Sequence, residues 1–173
     1  MEVADGIHHV WARGNDRQLI YWDDEDCAMY LKLLAAEVVR KGWRFFAYCL
    51  MENHLHLLLQ TPEPNLGKGM QRLHGDYALL YNRRHRKVGH VFQGRYGSKP
   101  MADDDHFWTT ARYILRNPVE AGLCRSPEEW RWSSHRAVLD GTAPAWLDAT
   151  RLLERFGVTG GDPQTVYRAV VDG

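Results

Sequence analysis

The sequence predicts an α+β domain in which helices cover a small antiparallel sheet. Two periodicities support this prediction. Long runs repeat apolar residues every third or fourth position, as one face of a helix does, whereas shorter runs alternate as strands do. In chain order the elements are strand, helix, strand, strand, helix, strand and helix. This βαββαβ pattern with an added helix is typical of a ferredoxin-like fold, with the helices packed on one face of the sheet.

The first strand and the first helix come from the N-terminal part of the chain. Residues 8–12 alternate weakly and predict a strand. The acidic residues at 23–26 suit the N-terminal end of a helix dipole, and Gly42 suits the end of that helix. Between these two points the apolar positions have helical spacing, at Met29, Leu31, Leu34, Ala35 and Val38.

Two strands and a second helix follow. Residues 43–50 are rich in aromatic side chains and predict a strand, and residues 51–53 predict a turn. The next strand is expected to end near Pro62. A long helix is predicted to start at residues 64–67, and its apolar positions are Met70, Leu73, Tyr77, Leu80 and Tyr81.

The last elements of the domain are an extended segment and a third helix. Residues 91–101 predict the extended segment, and the acidic residues at 103–105 mark the start of the helix. We expect this helix to end near Asn117, because Pro118 disfavours helical geometry in the residue before it.

Length and composition predict one domain with a substantial core. The chain has 173 residues, of which 45% are hydrophobic. The composition changes at Gly141, so we expect a domain over residues 1–140 and a C-terminal extension with short helices over 141–173.

No apolar stretch is long enough to span a membrane and the N-terminus lacks a signal pattern, which favours a cytoplasmic protein. The three cysteines form no Cys-x-x-Cys pair, so neither a disulfide framework nor a zinc ribbon is indicated.

Two histidines flank a leucine in the third predicted strand. Alternation places His54 and His56 on one face of the strand and Leu55 and Leu57 on the other. The two histidine Cα atoms are then about 6.6 Å apart, so both imidazoles can bind one divalent ion. The alternatives are a pair of hydrogen-bonded core histidines and an exposed pair on a sheet face that is partly open to water.

Basic residues are concentrated in residues 64–100, which we call the basic segment. The formal charge of the whole chain is zero, yet this segment has eight basic residues and one acidic residue, a net charge of +7. Such a segment attracts polyanions, although a solvated helix face is the alternative. The candidate phosphate contacts in it are Arg83, Arg84, Arg86, Lys87, Arg95 and Lys99.

Tyr113 and Asn117 form the second half of a candidate site. They are four residues apart in the third helix and therefore share one face. Beside a histidine metal site, the amide oxygen of Asn117 is a possible third ligand, and the phenol would lie near a phosphate held by the ion. The alternative is a surface tyrosine and an asparagine that caps the helix before Pro118.

Four motifs occur in an order that resembles one protein family. They are MENHLHLL at 51–58, GHVFQGRY at 89–96, RYILRNPVEAGL at 112–123 and WSS at 132–134. They are similar to the REP-associated tyrosine transposases, relatives of the single-strand insertion-sequence transposases among the "HUH" nucleases. The resemblance extends from about residue 6 to residue 139. One departure is Glu52, where many members have proline. The family fold is a ferredoxin-like antiparallel sheet, in agreement with the element order.

The resemblance implies a role for individual residues. His54 and His56 match the metal-binding histidines, Tyr113 matches the nucleophile, and Asn117 matches an amide ligand one turn later. The first strand is followed by an Arg-Gly-Asn motif near which relatives bind nucleic acid, which makes Arg13 and Asn15 candidate DNA contacts. By resemblance the cofactor is Mg²⁺ or Mn²⁺, although imidazole ligands also suit softer ions.

The function implied is cleavage and transfer of single-stranded DNA at hairpins through a 5′-phosphotyrosine. The expected partner is single-stranded or hairpin DNA, bound by a monomer or a homodimer, with no membrane. The sequence leaves two alternatives open. One is a DNA-binding regulator that has the fold but does not cut, and the other is a metal-dependent nuclease in which water attacks and Tyr113 is structural.

Overall fold

The strands form one antiparallel sheet at the centre of the protein. The computed structural model describes residues 4–157 and 160–173. The strands are β1 (Gly6–Arg13), β2 (Arg44–Met51), β3 (His54–Thr61) and β4 (Gly97–Pro100). Their order across the sheet is β2-β3-β1-β4. This order and the βαββαβ connectivity confirm the ferredoxin-like α+β fold that the sequence predicts.

Three long helices connect or follow these strands, and their ends use the predicted residues. The helices are α1 (Asp24–Lys41), α2 (Leu66–His85) and α3 (Asp104–Glu120). The side chain of Asp23 accepts a hydrogen bond from the N–H of Asp26, and Asp103 accepts one from the N–H of His106. Gly42 ends α1 with a φ of 65°, a conformation that favours glycine.

The third helix continues beyond the position expected from its proline. It runs to Glu120, so the prediction that it ends near Asn117 is wrong. Pro118 lacks one amide donor, but its ring is buried on the core side of the helix. The next turn still forms, because the N–H of Ala121 donates to the carbonyl of Asn117 at 3.0 Å. Asn117 therefore lies within regular helix, one turn after Tyr113.

Both faces of the sheet are covered. The histidines of β3 point toward α3, which packs on β2 and β3. The leucines that alternate with them, Leu55, Leu57 and Leu59, point to the opposite face and are fully buried. Complete burial requires cover on that face too, so the helices do not all lie on one face as expected. The core includes large side chains of α1 and α2, namely Tyr30, Leu34, Met70 and Tyr77.

The extended segment expected at residues 91–101 is mostly a loop. Only Gly97–Pro100 forms a strand, and Phe92 adds an isolated bridge to Gly14. Close packing explains the glycine at the start of β4, because a Cβ there would lie 2.2 Å from the Trp11 ring. The ring of Trp11 thereby fits directly over the edge of β4.

The C-terminal extension packs on the third helix. Its predicted short helices are present as α5 (Ala149–Gly157) and α6 (Pro163–Asp172), and the sequence did not predict the preceding α4 (His135–Leu139). From α3, Arg116 donates to the carbonyls of Val171 and Asp172 at the end of α6. The extension therefore braces the helix that carries Tyr113. Within the two described ranges, no helix is long and apolar enough to cross a membrane.

We expect Gly14→Ala to lower the free energy of unfolding by about 1–3 kcal/mol, because the added methyl group overpacks a tight turn. A Cβ at this position would lie 2.1 Å from the carbonyl oxygen of Gln18, a backbone atom that cannot move aside easily. Urea unfolding would measure the change. Gly75→Ala is the control: a Cβ at Gly75 in α2 meets nothing within 4 Å, so this variant should be neutral or stabilised. Equal stability of the two variants would contradict the packing argument.

Candidate functional site

A cleft of about 880 Å³ lies between the histidine face of the sheet and α3. The predicted residues His54, His56 and Tyr113 line it together with three basic side chains, Arg13, Arg95 and Lys99. Arg13 lies directly opposite His54 in the β1–β3 pairing, so the sheet register brings it into the cleft. Residues from four parts of the chain thus meet in one open cavity.

His54 is held between two amide side chains. Its Nδ1 lies 2.8 Å from Oδ1 of Asn53, and its Nε2 lies 2.9 Å from Oδ1 of Asn117. The Asn53 amide is oriented by its own Nδ2, which donates to the carbonyl of Arg17 at 3.4 Å. With this orientation, Nδ1 of His54 carries the hydrogen and donates to Asn53. The lone pair of Nε2 then points toward the oxygen of Asn117.

His56 is buried and bonded to a histidine of β1. Its Nδ1 lies 3.0 Å from Nε2 of His9, which leaves its own Nε2 outside that bond. Burial, aided by the nearby charges of His9, His54 and Arg13, lowers the pKa of His56 to about 3. Burial is also the main cause that lowers the pKa of His54, and it lowers that of His9 to about 4. All three imidazoles are therefore neutral near pH 7, the form that binds metal ions.

Tyr113 lies beside this histidine cluster and is open to solvent. Its ring centroid is 5.3 Å from that of His56 and 6.0 Å from that of His9, in edge-on contacts. The side chain is 51% exposed, so a large substrate can reach the hydroxyl. The helical spacing keeps Tyr113 one turn from Asn117, on the side of α3 that faces β3.

The donor set fits a divalent cation. Nε2 of His54 and Oδ1 of Asn117 are both acceptors when Asn53 takes the hydrogen of Nδ1, yet they lie only 2.9 Å apart. A divalent cation bound beside this pair would satisfy both lone pairs at once. Neutral imidazole nitrogens and an amide oxygen are ordinary ligands for first-row divalent ions and can accept Mn²⁺ or Mg²⁺.

The predicted basic residues separate into two groups. Arg13, Arg95 and Lys99 line the cleft, whereas the cluster Arg83, Arg84, Arg86 and Lys87 lies at the C-terminal end of α2 and does not. Asn15 also lies outside the cleft lining, in the turn after β1, where its N–H donates to the carbonyl of Val91.

Arg84 is engaged within the protein. Its guanidinium donates to the carboxylates of Asp23, Glu25 and Asp26 at 2.5–2.7 Å. These acids begin α1, so the bonds tie the end of α2 to the start of α1. A phosphate would have to compete with three carboxylates for this side chain. The neighbouring Arg83 and Arg86, by contrast, are exposed to solvent.

A second group of possible ligand atoms lies elsewhere, in Glu128, His135 and Asp172, all within 4.8 Å of one another. Hydrogen bonds and an ion pair within the protein explain why these side chains lie together. The ring nitrogens of the buried His135 contact the Tyr167 hydroxyl at 2.9 Å and Asp172 at 3.2 Å. Arg168 pairs with Glu128 at 2.7 Å. We interpret this group as the polar link between α4 and α6.

Sequence reasoning missed His9 and His106, which also line the cleft. His9 stands in the first predicted strand, but the sequence did not say which face it takes. A register for β1 against β3 would have shown it, because Trp11 pairs with His56 and side chains two residues apart share a face. The position of His9 in the first strand was therefore known, but its place beside His56 could be inferred only with the pairing of β1 and β3.

Comparison with known proteins links the chain to one family. The family model described as "Transposase IS200 like" matches residues 5–117, about two thirds of the chain. The matched range includes both histidines of β3 and ends at Asn117. No curated protein matches the chain.

Two solved structures resemble the fold. One is described as a REP-associated tyrosine transposase bound to a REP hairpin. It is 16% identical, with a TM-score of 0.69, and the match covers 83% of this chain and 86% of that one. The other is a candidate transposase from Deinococcus radiodurans R1, 21% identical, with a TM-score of 0.44; the match covers 66% of this chain and 92% of that one. At 16% identity, the likeness to the first structure establishes the fold alone.

Proposed function

Because the chain belongs to the IS200-like transposase family, we propose that it is a metal-dependent endonuclease and strand transferase for single-stranded DNA. It cuts beside a hairpin and becomes joined to the 5′ phosphate through Tyr113. One observation carries this proposal: Tyr113, His54 and His56 line one cleft although they come from two separate elements, and Oδ1 of Asn117 contacts His54. A DNA substrate implies action in the cytoplasm, at the chromosome.

The cleavage step is a phosphoryl transfer to tyrosine. The Tyr113 oxygen attacks phosphorus and loses its proton, and the bond from phosphorus to the 3′ oxygen breaks. The 3′ oxygen takes up a proton and leaves as a hydroxyl. The phosphotyrosine keeps the energy of the ester, so a 3′ hydroxyl can attack it later and rejoin the strands. The half-exposed position of Tyr113 supports this role, because the attacked phosphate belongs to a polymer.

The metal-binding groups are proposed to be His54, His56 and Asn117. Mg²⁺ or Mn²⁺ bound to them supplies Lewis-acid polarisation of the scissile phosphate. The protein contributes neutral imidazoles and an oriented amide oxygen. In the same cleft, Arg13, Arg95 and Lys99 are suited to hold the strand by its phosphates.

A hairpin-bearing single strand is expected to be the substrate, in preference to a duplex. Tyr113 is fixed on a helix, so the backbone of the DNA has to bend into the cleft, which a continuous duplex resists. The solved relative bound to a REP hairpin supports this choice. We expect the hairpin-bearing strand with Mn²⁺ to give a protein–DNA adduct that survives a denaturing gel, and the same sequence as a perfect duplex to give little or none.

The same gel separates the proposal from its alternatives. Cleavage without an adduct would indicate a hydrolytic nuclease, and binding without cleavage would indicate a regulator. Either result overturns the tyrosine mechanism. EDTA added before the DNA serves as the control for metal dependence, since it should prevent formation of the adduct while the hairpin still binds.

Binding should be sensitive to salt through the basic cluster at the end of α2. Replacing Arg83, Arg86 and Lys87 with glutamine removes three possible phosphate contacts, and Arg84 is left intact because it holds α1. The slope of log K against log salt for a hairpin strand should fall by about 0.7 for each phosphate that the variant no longer neutralises. The control replaces three exposed basic residues elsewhere, Lys32, Arg136 and Arg151. Equal slopes in both variants would mean that the cluster is an ordinary solvated surface.

A further inference from the structure

We propose that His9 is a positioning residue that holds His56 in the tautomer and ring orientation required of a metal ligand. The inference rests on the proposed metal site and adds to it a residue that does not itself bind the ion. It starts from the 3.0 Å contact between Nε2 of His9 and Nδ1 of His56.

Hydrogen placement gives this contact two possible states. A neutral imidazole has one N–H and one lone pair, so either His56 donates from Nδ1 or His9 donates from Nε2. In the first state Nε2 of His56 has a free lone pair and can bind a cation. In the second state Nε2 of His56 carries the hydrogen and cannot. Ligation of metal by His56 thus requires His9 to accept.

The other histidine of the pair has the same arrangement. Nδ1 of His54 faces an acceptor, Oδ1 of Asn53, at 2.8 Å, which leaves its Nε2 toward Asn117. Each histidine of β3 therefore has its Nδ1 bonded to a protein group and its Nε2 outside that bond. Partners of this kind fix the tautomer and orientation of metal-binding histidines and raise their basicity.

Packing holds His9 in place for this role. Its ring contacts the Trp11 ring on β1, with 5.1 Å between centroids, and the edge of the Tyr113 ring. The strand register also places His9 beside His56, because the two are diagonal neighbours on the same face of the β1–β3 pair. His56 is only 7% exposed, so water has little access to replace the bond.

The test measures Mn²⁺ binding by calorimetry without DNA, in three variants of His9. Glutamine carries an acceptor oxygen about as far from the backbone as Nε2 of histidine, whereas phenylalanine keeps a ring without an acceptor. We expect His9→Gln to keep the Mn²⁺ affinity within a few-fold and His9→Phe to weaken it by about 10–100-fold. His9→Ala, which opens space instead of filling it, should weaken it similarly. Thermal unfolding without metal verifies that each variant is folded.

Two comparisons make the result decisive. If His9→Phe binds Mn²⁺ as tightly as the wild type while His54→Ala does not bind, the role of His9 is overturned and the metal site stands. If His54→Ala also binds normally, the metal site itself is wrong. His90→Gln removes an exposed loop histidine as a control for unspecific binding.

Spectroscopy separates positioning from direct ligation. The visible absorption bands of the Co²⁺-loaded protein depend on the ligand set, so His9→Gln should leave them unchanged and His56→Ala should alter or remove them. A spectrum of His9→Gln that changes as that of His56→Ala does would make His9 a ligand and would overturn the proposal.

Discussion

Tyr113→Phe is expected to abolish the covalent protein–DNA adduct and strand cleavage, by about 10³-fold or more, while hairpin binding stays close to the wild-type level. Phenylalanine keeps the edge contacts of the ring with His9 and His56 and removes only the oxygen that attacks phosphorus. Denaturing gels with a labelled hairpin strand and Mn²⁺ measure the adduct, and a mobility shift measures binding.

Tyr96→Phe is the matched control for this experiment. Tyr96 is the other tyrosine in the resembling motifs, and it lies in the loop before β4, where it lines a different cavity from Tyr113. The control should cut normally. An adduct that persists in Tyr113→Phe and disappears in Tyr96→Phe would assign the nucleophile to Tyr96 and contradict the proposed mechanism.

His54→Ala and His56→Ala are each expected to reduce cleavage to background over a full titration of Mn²⁺, because each removes one of the three proposed ligands. Asn117→Ala should have a milder effect, with a higher metal concentration needed for half-maximal rate, since both imidazoles remain. Initial cleavage rates against metal concentration provide the measurement.

Loss of the fold would not explain such a result. The side chains of both histidines point away from the fully buried leucines of β3, so their truncation opens no cavity on that face. Circular dichroism of both variants should therefore resemble the wild type. Thermal unfolding of His54→Ala should stay close to the wild type, whereas His56→Ala, which truncates a buried ring bonded to His9, should unfold at a lower temperature. His90→Ala, in an exposed loop, is the control. Cleavage at the wild-type rate by either histidine variant, at any metal concentration, would refute the metal assignment.

Most of the fold was predictable because its signals are local. Acidic helix starts, the glycine after α1 and the alternation around the histidines each depend on residues close together in sequence. The predictions were wrong where tertiary packing overrode the local preference of the sequence. Pro118 disfavours helix in the residue before it, yet burial of its ring and the next amide bond extend α3 to Glu120. Residues 91–101 have extended character, but only four of them form a strand.

The candidate site was predictable in part for the same reason. The spacing of His54 with His56, and of Tyr113 with Asn117, puts each pair on one face of its own element. The spacing of residues within one element does not show which residues of another element they will meet. Arg84 belongs to the same basic run as Arg83, yet the fold brings three carboxylates of α1 to it.

The sequence alone determined which side chains share a face, because helix and strand periodicity follow from backbone geometry over a few residues. It thereby determined the two halves of the candidate site and the element order of the fold. The tertiary structure decided what each face meets. The register of β1 against β3 brings His9 to His56, and the packing of α3 on the histidine face brings Asn117 to His54. These contacts join residues 47 and 63 positions apart, and only burial of the common core holds such distant segments together.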